Sequence, residues 1–178
     1  NPDLYLEPFA GGAAVFFALR AALGGGAVDG GAGAGAHPIL TPDRSMPEAH
    51  LSDVCSELVD TYRAVVAETE RVIRVHEKLK AGYTTAWDQG FAVANDWYYN
   101  LREKHAGLGK APIASRAAWF LAINRLVFNG LWRVNRKGLC NVPWGKAAPG
   151  RMLDAERIRE VASALEKTRV SCRDYGGA

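Results

Sequence analysis

The sequence predicts an α/β fold, part of a doubly wound sheet, interrupted by a helical region that ends in a basic β-hairpin. Three observations lead there. Short apolar runs at Leu4-Tyr5-Leu6, His50-Leu51-Ser52 and Arg169-Val170-Ser171-Cys172 alternate with helix-patterned stretches, the β-α-β order of a parallel sheet. The first run ends in Glu7-Pro8-Phe9-Ala10-Gly11-Gly12 ahead of an Ala-rich stretch from Ala13 to Leu23, so a strand turns tightly into a helix. Between Lys104 and Leu153 the chain holds nine Lys or Arg and no Asp or Glu, leaving 13 basic and 19 acidic residues elsewhere. The formal net charge of +3 therefore hides a segment at +9 beside a remainder at −6. A one-sided field of that kind attracts polyanions.

The first strand and its glycine turn are followed by Gly24 to Ala36, seven glycines in 13 residues, and then by Pro38, Pro42 and Pro47. With no G-x-G-x-x-G and no P-loop, residues 24–47 are expected to be a flexible surface insertion rather than a phosphate cradle. The second strand ends at Asp53, and Ser56 is the expected N-cap of a helix. That helix carries Leu58, Val59, Tyr62, Val65, Val66, Val72, Ile73 and Leu79 at helical spacing, with Glu57 and Asp60 in its first turn. An acid in the position of Asp53 grips ribose hydroxyls in nucleotide-type sites, or simply starts the helix; spacing alone does not separate the two.

Residues 84–95 read as irregular, with Trp87 and Phe91 as packing residues, and a helix follows from Asn95 to His105. Its Tyr98-Tyr99-x-x-Arg102 is expected to be mainly structural. A further helix opens near Pro112 and Ser115 and carries Trp119, Phe120, Leu121 and Ile123. Burying that run would anchor what comes next on a rigid base. Next come Leu131-Trp132-Arg133-Val134 and Leu139-Cys140-Asn141-Val142, flanking the turn-type cluster Asn135-Arg136-Lys137-Gly138, a two-stranded ribbon by its residues. Phe128, Trp132 and Trp144 interleave with the charges, which suits base stacking better than a merely solvated basic face. Asp154 then caps a helix bearing Ile158, Val161 and Leu165, and the last strand leads to Asp174 and Tyr175. The expected organisation is 1–83 as the first part of the α/β domain, 84–150 as the recognition region and 151–178 as the return to the sheet.

At 178 residues and 48% apolar content the chain suits one domain with a recognition insert. No run approaches the roughly 18 apolar residues of a membrane helix, and no signal-peptide layout opens the chain, so a cytoplasmic protein is expected. Cys55, Cys140 and Cys172 form no C-x-x-C pair and have no His at ligand spacing, so neither a disulfide framework nor a metal site is indicated. The start at Asn1-Pro2-Asp3, without Met, and the stop at Gly176-Gly177-Ala178 suggest a piece of a longer protein.

The run from Asn124 to Gly145, NRLVFNGLWRVNRKGLCNVPWG, resembles the target-recognition region of the Dam family, the D12 class of DNA adenine-N6 methyltransferases. The resemblance implies a Rossmann-like S-adenosylmethionine-dependent methyltransferase fold and double-stranded DNA as partner, with no metal, in a monomer. It places Phe128 where an aromatic wedges into the base stack, and Asn129, Leu131, Arg133 and Pro143 on base-contacting positions. Lys146 falls near the phosphates, and Arg125 and Asn135 belong to the same DNA-binding set. Likewise E-P-F-x-G-x-A-x-V-F resembles the family's cofactor motif, which implies that Glu7, Pro8, Phe9 and Gly11 hold the methionine end of S-adenosylmethionine. Ala13 stands where the family usually has a second glycine, a small change. S-D-V-C-S-E-L-V is similar to the segment whose acid binds the cofactor ribose, here Asp53, and Asp174 and Tyr175 fall beside the cofactor adenine.

In the family an Asp-Pro-Pro-Tyr motif holds the flipped adenine for direct attack on the sulfonium methyl. That motif is absent here, so the chain by itself is expected to be inactive. The residues that resemble readers of G-A-T-C suggest that site. A non-catalytic DNA-binding module using the hairpin alone is the alternative, for which Glu7 to Gly12 and Asp53 would have no purpose. An RNA or small-molecule methyltransferase is a third reading, against which the basic hairpin speaks.

Overall fold

The computed structural model describes residues 4–8, 10–22, 48–105 and 108–174. Strands β1 (Leu4–Pro8), β2 (Glu48–Asp53) and β3 (Thr168–Cys172) form a parallel sheet in the order β1-β2-β3. Register sets Glu7 beside Leu51 and Leu51 beside Val170. Since side chains alternate along a strand, Tyr5, Ala49, Leu51 and Val170 share one face. Against it pack Phe16 of α1 (Ala14–Ala22), Tyr62 of α2 (Ser56–Ala67) and Leu165 of α6 (Ala155–Leu165). Arg63 of α2 also donates from Nε and Nη2 to the Val170 carbonyl at 3.1 and 2.9 Å.

Beyond the sheet, α2 is followed by α3 (Thr69–Asp88), α4 (Phe91–His105) and α5 (Ile113–Leu126). Ala114, Ala117 and Ala118 of α5 pack on Val65, Val72 and Ile73. Three alanines on one side let the helices approach closely, so α5 is held by α2 and α3 along its length. Its last turns join a second cluster with Tyr83, Tyr98, Val142 and Trp144, and this is where the hairpin region is rooted.

The chain departs from its sequence pattern at three places. The single helix expected from Ser56 to Leu79 is two, because Glu68 leaves the helical region (φ −135°, ψ 39°). The apolar repeat runs through the break and does not register it. Thr69 Oγ bonds back to the Val65 carbonyl at 2.7 Å, a local contact that bends helices. Nor is Ser56 the N-cap: Cys55 occupies that position without a side-chain cap bond, and Asp53 Oδ1 instead accepts the Cys55 N–H at 2.8 Å. Residues 84–95 are helical rather than irregular, except for the joint at Gln89-Gly90, where Gly90 takes φ +114°. Tertiary packing overrides their weak propensity, since Trp87 and Phe91 both meet Trp144 across the joint. As expected, Asp154 caps α6, accepting the Arg157 N–H at 2.8 Å. The glycine-rich stretch 24–47 lies outside the described residues.

Candidate functional site

At the carboxyl ends of the parallel strands, two of the motifs read from the sequence meet. Gly11, at φ +48°, donates its N–H to Asp53 Oδ2 at 2.9 Å across 42 positions of sequence. The Gly11 carbonyl accepts from the Tyr62 hydroxyl at 2.7 Å, and Ala10 N–H donates to the Ser52 carbonyl at 2.9 Å. The loop after β1 is thus tied to β2 and α2 at three points. Burial, with the charges of Glu7 and Asp53 adding to it, pushes the Tyr62 phenol well up, so it stays a neutral donor. Glu7 Oε2 accepts the Phe16 N–H at 3.1 Å, in the first turn of α1, where the helix dipole favours an anion, and also the Tyr5 hydroxyl at 2.9 Å.

Asp53 ties the glycine turn to the start of α2 without being its N-cap. Its carboxylate already accepts two N–H groups, from Gly11 and Cys55. A carboxylate offers about four lone-pair sites, so acceptor capacity remains. Ala13 is buried with φ +49°, a region in which a Cβ costs roughly 1–2 kcal/mol. The departure from glycine at this position is therefore not neutral, as the sequence alone suggested. Asp174 is exposed just past β3, which is tied to β2 by a bond from Arg173 N–H to the Asp53 carbonyl at 3.1 Å. Pro8 is the last residue of β1; Phe9 and Tyr175 lie outside the described residues. Burial pushes the neighbouring Cys55 thiol up to about 11, so it is no thiolate nucleophile near neutral pH.

The second group of candidates lies along residues 125–146. The excursion from α5 closes on itself through two isolated antiparallel bridges, Val127 with Trp144 and Val134 with Cys140. It is a hairpin with single-bridge contacts rather than the two-stranded ribbon expected from its residues. The turn itself is as read: Gly138, at φ +74°, donates to the Asn135 carbonyl, and Asn135 Oδ1 accepts from Lys137 and Leu139 N–H at 2.8 and 3.2 Å.

Of the three aromatics expected to be exposed, only Phe128 is, at 50%. Trp132 is half-buried, with its ring tilted against Phe120 at a centroid distance of 4.5 Å, and Trp144 is buried, donating Nε1–H to the Tyr83 hydroxyl at 3.0 Å. These two form the stem, not the surface. Leu131, Arg133, Pro143 and Lys146 are exposed, and Asn129 and Lys146 both take φ +53°. Arg125 is exposed in the last turn of α5. The basic stretch is not one free face, however, because Arg116 pairs with Asp60 of α2 at 2.9 Å.

The sequence missed what holds the hairpin. Tyr98 donates its hydroxyl to the Val142 carbonyl at 2.8 Å, Arg102 donates Nη1–H to the same oxygen at 3.1 Å, and Arg102 lies 4.6 Å over the Tyr99 ring. Tyr83 donates to the Ala147 carbonyl at 2.6 Å. The Tyr-Tyr-x-x-Arg run was the available signal, legible as structural but not as the hairpin's clamp. Among the described residues no group of three or more His, Cys, Asp or Glu is placed to hold a metal, and no helix is long and apolar enough to cross a membrane.

Comparison with known proteins bears on both regions. Residues 30–177 match the model of the D12 class N6 adenine-specific DNA methyltransferase family. The chain is 24% identical over 176 residues to the type II methyltransferase M.MjaIII of Methanocaldococcus jannaschii, covering 98% of this chain and 53% of that protein. It is 25% identical over 171 residues to the type II methyltransferase M1.LlaDCHI of Lactococcus lactis, covering 93% of this chain and 47% of the relative. Against the DNA adenine methylase of Salmonella typhi the identity is 32% over 125 residues, 70% of this chain and 41% of the relative. The chain thus spans about half the length of the curated relatives it matches.

Proposed function

We propose, starting from the fact that the chain belongs to the D12 class of N6 adenine-specific DNA methyltransferases, that the whole protein methylates N6 of adenine in duplex DNA. In this reading the present residues supply part of the S-adenosylmethionine pocket and much of the DNA-reading surface. The observation that carries it is the bond from Gly11 N–H to Asp53 Oδ2, which joins two separate motifs at the strand ends of a molecule that also presents a basic hairpin. A DNA-binding module would have no use for the first of these.

The donor set fits the cofactor by its chemistry. S-adenosylmethionine, when bound, supplies a methyl group activated by its sulfonium. Toward it Asp53 offers its remaining lone pairs to ribose hydroxyls, while the Glu7 carboxylate attracts the methionine ammonium. The glycine turn at Gly11 allows close approach of the backbone, and Pro8, Phe9, Asp174 and Tyr175 complete the proposed set. On the DNA side Phe128 fills the space left as the target base leaves the stack. Arg133 reads a guanine by its O6 and N7, worth roughly 1–3 kcal/mol of discrimination, with Asn129, Leu131 and Pro143 beside it. Arg125, Asn135 and Lys146 serve the backbone, which positions without specifying.

We place G-A-T-C as the recognised site, and the protein as a monomer acting on DNA in the cytoplasm. Because the sequence contains no Asp-Pro-Pro-Tyr, these 178 residues alone are expected not to transfer methyl groups. The test is transfer of labelled methyl from S-adenosylmethionine to a G-A-T-C duplex by the full natural chain. Adenine labelling that falls at least tenfold with Arg133→Ala is the expected result. DNA binding without any transfer would put the binding module in place of the enzyme.

A further inference from the structure

Arg133 and Asn141 face each other across the hairpin. They flank the Val134–Cys140 bridge, and Asn141 N–H donates to the Arg133 carbonyl at 3.1 Å. Their side chains meet as well: Arg133 Nε–H donates to Asn141 Oδ1 at 2.8 Å. Asn141 is itself held between two fixed neighbours, since Cys140 and Val142 are 8% and 2% exposed and the Val142 carbonyl is clamped by Tyr98 and Arg102. Arg133 is otherwise exposed, and its guanidinium sits at the end of a long, flexible side chain. A guanidinium presents two edges on which paired acceptors can sit, Nε with one terminal nitrogen, or the two terminal nitrogens together. With Nε engaged, only the terminal edge is left.

We propose that Asn141 is a positioning residue for Arg133, orienting the guanidinium so that it meets guanine with its terminal Nη1–Nη2 edge. This rests on the reading of Arg133 as a base reader. Asn141 touches no reacting group in this role; it acts by removing rotamers in which Arg133 would otherwise wander, so its effect falls on discrimination between sequences.

The experiment measures binding of the full natural chain to two duplexes, one carrying G-A-T-C and one in which both of its guanine–cytosine pairs are replaced by adenine–thymine. The readout is the ratio of the Kd for the replaced duplex to the Kd for G-A-T-C. Arg133→Ala is expected to lower that ratio by about 5- to 150-fold, and Asn141→Ala by about three- to tenfold. Asn141→Asp keeps an oxygen acceptor and restores the ratio, while its added charge weakens binding to both duplexes alike. In the Arg133→Ala background, Asn141→Ala leaves the ratio where it was, because its only route to the base has gone. The proposal is overturned if Asn141→Ala leaves the ratio intact, or lowers it equally with and without Arg133. If Arg133→Ala itself leaves the ratio unchanged, the base-reader assignment fails and the positioning role with it, an outcome distinguishable because it is read from that variant alone.

Discussion

At the ends of the strands the acidic groups are engaged before any ligand arrives: Asp53 holds the Gly11 and Cys55 amides, and Glu7 holds the Phe16 amide. Along the hairpin the arrangement is reversed. Phe128, Leu131, Arg133 and Lys146 stand exposed, and the work of holding the backbone falls to buried residues behind them, Tyr83, Tyr98 and Trp144. On the proposed reading, the strand-end pocket is shaped by the same carboxylates that would meet the cofactor, whereas the hairpin presents its basic and apolar side chains to solvent and takes its rigidity from the residues behind them.

If that division is right, damage to the stem should exceed damage to the tip. The largest effect is expected from Gly145→Ala. A Cβ there would lie 2.5 Å from the Val127 carbonyl oxygen and 3.0 Å from Phe128 Cα, backbone atoms that cannot swing aside. A loss of about 3 kcal/mol in denaturant unfolding, with displacement of Phe128, is expected.

Next comes His76 of α3, fully buried, with neither ring nitrogen bonded among the described residues. Burial, then the charges of Lys80 and Arg125, lowers its pKa to about 4. The unfolded chain takes up this proton first, near pH 6.5. Stability therefore falls with pH between about 6.5 and about 4, by up to about 3 kcal/mol, and is level on either side as far as this group is concerned. His76→Leu should flatten that limb of the pH profile in urea titrations.

Smaller again is Tyr98→Phe, which removes the hydroxyl bonded to the Val142 carbonyl while Arg102 keeps its own bond there. About 1 kcal/mol of stability should go, with a modest loss of DNA affinity. At the tip, Lys137→Ala should leave unfolding unchanged and reduce the salt dependence of DNA binding by about one phosphate contact, equally for all sequences. A stem variant that spared stability, or a tip variant that lowered it, would break the comparison.

Much of this was legible in the residues, and the exceptions have physical causes. Strands, the glycine turn and the Asp154 cap depend on local chemistry, and each lies where its residues put it. The break at Glu68 and the helix through 84–88 were hidden, because an apolar repeat reports which face is buried but not whether the axis bends. Trp132 and Trp144 look alike to composition whether they face solvent or Phe120 and Tyr83; only the three-dimensional arrangement decides. Asn141 carried a motif position without a role, since its partner lies eight residues away across a turn.

The separation of the two regions is tested most directly by crossing two variants with two ligands in the full natural chain: Asp53→Ala and Arg133→Ala, each titrated with S-adenosylmethionine and with a G-A-T-C duplex. Asp53→Ala should weaken the cofactor at least tenfold and leave the duplex Kd within about twofold, with Arg133→Ala doing the reverse. Equal losses for both ligands in either variant would contradict the account, because they would mean that strand ends and hairpin act as a single site.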